Sequence, residues 1–344
     1  EELRKKYPSF IYRRYSYGLK NGDLHISFDF EVPPDIKFRP KVVVKNVSRK
    51  SIDRVGDSSM KNLVFHLGLA EMPSYWKATA SPHIIVEAGR LDKAQISWWH
   101  DLFMKGMGQY FYENRIDFTA KNFLAITASR SVAKNSDRLH KRQTAERILV
   151  PIGGGKDAVV TYEILKRAGE KVRPFVLNPK KEQNAILHIA GEQNPIIVQR
   201  AIDSKLLTLN RKGYLNGHTP FSAYLAFLTV LCAALFDYIY VALSNERSSN
   251  EGNVRYRGRT INHQYSKSWE FEKKFRAYSK TYLAKGIEYF SFLRPLYELQ
   301  IAKLFAQYPK YFTAFLSCNE AHKTDSKRKK ATGKWCSRCP KCLF

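Results

Sequence analysis

The stretch Ile148-Leu149-Val150-Pro151-Ile152-Gly153-Gly154-Gly155-Lys156-Asp157-Ala158-Val159-Val160-Thr161-Tyr162 decides the fold of this chain. Its apolar opening reads as a buried strand, its glycines as a tight loop, and Lys156 to Ala168 as a helix closed by Gly169. Val172 to Leu177 is the next parallel strand, which completes a βαβ unit. Strand, glycine loop and helix together form a device for holding phosphate. The glycines let the backbone approach a ligand and aim its N–H groups inward, and the helix N-terminus adds positive potential. Gly153, Gly154, Gly155, Lys156 and Asp157 are therefore candidate nucleotide-binding residues, with Lys156 supplying charge and Asp157 capping the first turn. The Gly-Lys-Ser/Thr ending of a P-loop NTPase is missing, as are the separated glycines of a dinucleotide fold.

Upstream, the polar segment Ser129 to Glu146 has no sustained apolar period, so a domain boundary is expected there, giving domains 1–145 and 146–344. The first is expected to be mixed α/β and a possible substrate-binding domain. Leu24, Ile26, Phe28 and Phe30 alternate with polar residues as a half-buried strand requires, and Pro33 and Pro34 end it. Further strands are expected at Lys41 to Val47, Leu63 to Leu67 and His83 to Glu87. A helix from about Lys93 to Tyr112 should put Trp98, Trp99 and Phe103 in the core. Downstream, Ala223 to Phe236 reads as a buried helix holding Cys232, and Asp237 to Leu243 as a strand.

The 344 residues, 44% hydrophobic, suffice for two domains with large cores. Lys and Arg number 58 against 31 Asp and Glu, a net charge of +27 that favours anionic partners, whether nucleic acid, nucleotides or an acidic small substrate. The charge is diffuse, which argues against nucleic acid without excluding it. The sequence does not open like a secretory signal, and its most apolar run is shorter than a bilayer span, so a cytoplasmic location without membrane insertion is expected. Four of the five cysteines lie near the C-terminal end. Cys336, Cys339 and Cys342 form a Cys-x2-Cys-x2-Cys knuckle that Cys318 can complete as a tetrahedral structural zinc site, with Lys334, Arg338 and Lys341 offsetting thiolate charge.

The glycine loop resembles that of the ATP-pyrophosphatase (PP-loop) superfamily, usually Ser-Gly-Gly-any-Asp-Ser, although Gly153 and Ala158 stand where that pattern has serines. The resemblance implies an α/β fold: a HUP-like five-stranded parallel sheet between helices, followed here by the zinc knuckle. Other segments narrow it. Asn216 to Ser222, Ser244 to Asn253, His263 to Ser268, Leu293 to Leu296 and the ending Trp335 to Cys342 resemble the bacterial UDP-N-acetylmuramoyl-L-alanyl-L-glutamate epimerase family. The likeness runs from about Ile148 to the C-terminus, while the N-terminal part matches only in general character. It implies an ATP- and magnesium-dependent inversion of the terminal L-Glu of UDP-N-acetylmuramoyl-L-Ala-L-Glu to D-Glu, for peptidoglycan precursor synthesis, with release of AMP and pyrophosphate. Adenylating a carboxylate makes the neighbouring Cα proton removable. The anionic UDP-muramoyl dipeptide also suits a basic chain.

Roles follow on this basis. The segment after the Asp237–Leu243 strand lies where open α/β sheets place ligands, so Glu246 or Glu251 is expected to hold magnesium and Arg247 a substrate carboxylate. Asn178, past the second strand, is a candidate adenosine contact. For proton transfer the expected residue is His218, at a helix entrance where a group titrating near neutrality is useful, with Lys267 and Tyr265 behind it. Two alternatives stand beside the epimerase. One is another ATP pyrophosphatase, such as a tRNA-modifying enzyme or a deazaguanine-nitrile synthase. The other is a basic nucleic-acid-binding module with a degenerate nucleotide loop.

Overall fold

The computed structural model describes residues 1–130, 139, 147–318, 320–321 and 332–343. The elements run, in chain order, α1 (Glu2–Lys6), β1 (Ser9–Lys20), β2 (Asp23–Val32), β3 (Ile36–Phe38), β4 (Lys41–Val44), α2 (Arg49–Val55), α3 (Asp57–Trp76), β5 (His83–Leu91), α4 (Lys93–Gly106), α5 (Gly108–Glu113), β6 (Ala125–Arg130), β7 (Ile148–Pro151), α6 (Lys156–Arg167), β8 (Val172–Leu177), α7 (Lys181–Ile189), β9 (Ile196–Ala201), α8 (Ser204–Arg211), α9 (Phe221–Phe236), β10 (Tyr240–Leu243), β11 (Val254–Tyr256), β12 (Arg259–Ile261), α10 (Trp269–Tyr278), β13 (Glu288–Ser291), α11 (Glu298–Phe305) and α12 (Pro340–Leu343). They form two compact units: residues 1–142, 200–236 and 249–286 make the first, and 143–199, 237–248 and 287–344 the second. Most of the polar segment Ser129–Glu146 lies outside the described residues, as does the basic run Lys327–Lys330.

In the first unit β1 and β2 form a hairpin with Lys20 opposite Asp23. Its two-residue turn, Asn21-Gly22, has both φ angles positive, the backbone that an Asn-Gly hairpin turn needs. β3 and β4 join β2 antiparallel, while β5 joins β1, and β6 joins β5, in parallel. The expected strand at Leu63 to Leu67 is instead the middle of helix α3. Nearly every residue from Met60 to Trp76 on this helix is buried, so no polar stripe marks its period, and a short apolar run then reads equally well as a strand. The expected helix Lys93 to Tyr112 is two helices, broken at Met107 between Gly106 and Gly108. Both glycines are close contacts: a Cβ on Gly106 would lie 2.8 Å from Pro220 Cβ, and one on Gly108 3.1 Å from Ile261. Trp99 and Phe103 are buried while Trp98 is only half-buried, and Trp99 Nε1 donates to Tyr278 Oη at 3.0 Å. Cys232 is buried in α9, as expected.

The second unit is a five-stranded, all-parallel sheet in the order β13-β10-β7-β8-β9. Numbered within the unit this order is 5-4-1-2-3, the doubly wound arrangement, and the direction of winding reverses between β7 and β10. Ligands of such sheets bind past the C-terminal strand ends at that reversal. The expected Asp237–Leu243 strand is shortened to Tyr240–Leu243, since Asp237 turns the chain with φ +62°. Val150, Val159, Tyr162, Ile301, Phe305 and Tyr311 build the core that fixes α6 and α11.

Candidate functional site

The second unit carries the glycine loop at the reversal point. Gly154 has φ +91°, and a Cβ there would lie 2.6 Å from Glu182 Cγ, so both conformation and space require glycine. The Gly154 carbonyl accepts the Leu316 N–H at 2.8 Å, and the Lys156 N–H donates to Ser317 Oγ at 3.1 Å. The first turn of α6 has no side-chain cap of its own. Asp157 does not cap it, contrary to expectation. Its carboxylate takes the Lys156 ammonium at 2.6 Å instead.

Lys156 is buried and also donates to Glu298. Burial pushes its pKa down, but Asp157 and Glu298 more than offset this and hold it above the usual lysine value. Lys156 is thus charged but already neutralised. Lys341, expected to offset thiolate charge, donates to the other oxygen of Glu298 and lies 3.9 Å from Glu246. Glu298 is held down at about 2 because Lys156 and Lys341 outweigh its burial. Burial, reinforced by Glu298, pushes Glu246 up. Two carboxylates pushed in opposite directions are what an acid–base or cation site provides. The Glu246 carbonyl is held by Arg294 Nη1 at 2.8 Å, and Arg294 Nη2 and Asn245 Nδ2 both donate to Ser291 Oγ. Arg247 is exposed with its guanidinium over the Tyr297 ring, and Asn178, also exposed, follows β8 with φ +50°. Glu251 is exposed and belongs to the first unit.

The four cysteines converge as expected. Cys318, Cys336, Cys339 and Cys342 place their sulfurs within 4.8 Å of one another. Neighbouring sulfurs are 3.5 Å (Cys339–Cys342), 3.7 Å (Cys336–Cys342) and 3.9 Å (Cys339–Cys318) apart. Ligands at the usual zinc–sulfur distance in a tetrahedron stand about 3.8 Å apart. A disulfide would need roughly 2 Å. The donor set therefore fits one tetrahedral thiophilic ion. Among the described residues it is the group of His, Cys, Asp or Glu ligand atoms gathered closely enough for a single metal.

The proton-transfer candidates lie in the first unit. The His218 and His263 rings are 6.3 Å apart, centroid to centroid. Burial, then His263 and Lys267, push His218 down to about 4, so it does not titrate near neutrality as expected. His263 is lowered in the same way, by burial and Lys267. Lys267 is exposed. Tyr265 is buried with its hydroxyl donating to Asp101 at 3.1 Å, and burial and that carboxylate raise its pKa. Beside His218 stands a further titratable group, Lys77. Its ammonium donates to the Gly217 carbonyl beside His218 at 3.2 Å, and burial, aided by Arg200, pushes it down to about 8. Nothing in the sequence around Lys77 marks it. Glu298 and Ser317 had cues only in their neighbours, the Leu293–Leu296 segment and Cys318.

A doubly wound parallel sheet with a glycine loop at its reversal point, together with a mixed sheet in the other unit and a four-cysteine knuckle, defines an α/β protein of a sheet type that generally takes ligands at its strand ends. Residues 1–292 match the MurL N-terminal domain family. The chain is 32% identical over 345 aligned residues, covering 100% of it and 74% of the relative, to a UDP-N-acetyl-alpha-D-muramoyl-L-alanyl-L-glutamate epimerase of a Micromonospora species. Relatives of the same name come from Salinispora tropica (31% identity, 100% of this chain, 73% of the relative) and Xanthomonas oryzae pv. oryzae (33%, 79% of this chain, 58% of the relative). The chain belongs to this epimerase family. The similarity reaches the N-terminal residues as well, beyond the Ile148-to-C-terminus span expected. It does not favour the tRNA-modifying or deazaguanine alternatives. No helix among the described residues is long and apolar enough to cross a membrane.

Proposed function

We propose that this chain inverts the terminal L-Glu of UDP-N-acetylmuramoyl-L-Ala-L-Glu to D-Glu in an ATP- and magnesium-dependent reaction. The observation that carries this is its whole-length similarity to epimerases named for that dipeptide. Bound ATP supplies activation: a glutamate carboxylate oxygen attacks the α-phosphorus, pyrophosphate leaves, and later hydrolysis of the mixed anhydride returns the carboxylate and AMP. The loop Gly153 to Gly155 and the start of α6 cradle the phosphates through backbone N–H groups, as their position at the sheet reversal supports. Glu246, with Glu298 beside it, would hold magnesium, which would supply positive charge to offset the nucleotide phosphates. Mg²⁺ is commonly bound by one or two carboxylates plus substrate oxygens. Arg247 pairs with a substrate carboxylate, and Asn178 meets the adenosine. The cysteines would hold one structural zinc.

In the first unit Lys77 and His218 handle the Cα proton. Lys77 is partly unprotonated just above neutrality and serves as a base, and the neutral His218 lies near it without adding charge. The test is incubation of the full chain with ATP, magnesium and the L-Glu dipeptide, followed by acid hydrolysis, chiral separation of glutamate and AMP quantification. D-Glu and AMP are expected in equal amounts. D-Glu without AMP sinks the adenylation step, and the absence of both sinks the proposal.

A further inference from the structure

The loop Gly153–Ala158 contains no hydroxyl, and its one cation, Lys156, is spent on Asp157 and Glu298. A hydroxyl nevertheless sits on it. Ser317 Oγ accepts the Lys156 N–H at 3.1 Å and would lie 3.0 Å from a Cβ on Gly155, while the preceding Leu316 N–H is bound to the Gly154 carbonyl at 2.8 Å. The next residue is Cys318, whose sulfur is 3.9 Å from that of Cys339 in the knuckle. Lys341, next to Cys342, reaches Glu298, the partner of Lys156. The knuckle therefore reaches the loop directly through the 316–318 segment and indirectly through Lys341 and Glu298. A Ser hydroxyl that accepts one hydrogen bond keeps its own proton to donate.

We propose that Ser317 is the hydroxyl of the phosphate loop, held there by the metal-loaded cysteine knuckle, and that it donates to a phosphate oxygen of the bound nucleotide. The knuckle is thereby a positioning element of the nucleotide site. This rests on the ATP site proposed above. Ser317 is half-buried, so it is held in place yet within reach of a ligand.

The test is calorimetric binding of magnesium β,γ-imido-ATP to the full chain, with zinc content and melting temperature measured alongside. Ser317→Ala is expected to weaken binding about 10-fold, in line with loss of one hydrogen bond to a charged group. Its zinc content should not change, and Ser317→Thr should bind within about twofold of the natural chain. Zinc removal by chelator, checked by circular dichroism and reversed by added zinc, should weaken the natural chain. It should add little to Ser317→Ala, since both act through one hydroxyl. A natural chain that does not bind the nucleotide at all overturns the ATP site and this inference with it. A natural chain that binds while Ser317→Ala binds equally well or more tightly overturns this inference alone, the hydroxyl being then only a helix cap or a competitor for the loop amide. Equal weakening of both chains by zinc removal overturns the role of the knuckle in holding Ser317.

Discussion

Lys77 and His66 show how burial sets the chemistry of a single side chain. Lys77 closes α3, and burial, aided by Arg200, pushes its amine down to about 8, which would give the proposed base a visible pH signature. If its neutral form is the base, kcat/KM rises from pH 6.5 and levels off above about 8.5, and His218, with its proton gone above about 4, adds no limb in that window. Lys77→Met is expected to lower turnover by roughly 100-fold and flatten the rise, with nucleotide affinity unchanged. A pH profile of the variant checks both. His66 is fully buried and neutral: its Nδ1 donates to the Asn62 carbonyl at 2.8 Å, and Nε2 accepts from Gln95 at 3.2 Å. Burial lowers its pKa from 6.5 to about 4. The unfolded chain therefore binds the proton first as pH falls, and stability is lost between about 6.5 and 4, up to roughly 3 kcal/mol for this one group. Denaturant titrations of the natural chain and His66→Gln at pH 7 and 5 should show a smaller acid loss in the variant. Equal losses would remove His66 from the account.

At the scale of elements, periodicity was informative where one face of an element meets water and failed where none does. β2 alternates and is a strand, and α6 has an inward face and is a helix. α3 is buried all round, so its centre imitates a strand. α3 also carries Glu71, fully buried, on which Arg200 closes a bidentate pair with contacts of 2.6 to 3.1 Å and a further bond to Ser74 Oγ. The adjacent carboxylate overcomes burial and holds the Arg200 proton more firmly than usual. Sequence offers no cue to this pair, since the two residues are 129 positions apart. Arg200→Met strands a carboxylate in the core and is expected to destabilise by about 3–5 kcal/mol in a urea titration. Adding Glu71→Met should recover much of that, because a matched apolar pair needs no desolvation. A double variant no more stable than Arg200→Met would refute the stranded charge as the cause.

At the scale of the whole molecule, the glycine loop and the cysteines were legible because local spacing dictates them: a turn, a helix start, and ligands a few residues apart. The grouping of 200–236 and 249–286 with the N-terminal residues was not, because it depends on which distant apolar faces match. His218, Tyr265, Lys267 and Glu251 all belong to the first unit and the glycine loop to the second. Net charge belongs to the entire chain. At +27 it attracts the diphosphate and carboxylates of the proposed dipeptide from a distance. Salt shortens that reach to about 10 Å at 0.1 M. Raising salt from about 20 to 200 mM should therefore lower kcat/KM roughly 3- to 10-fold while leaving kcat nearly constant, since charge steers encounter rather than the bound reaction. Duplex DNA added at low salt should inhibit weakly, and the inhibition should vanish by the higher salt. A kcat that falls in step with kcat/KM would place the salt effect on the bound site. DNA binding that survives 200 mM salt would restore the nucleic-acid reading that the diffuse charge argues against.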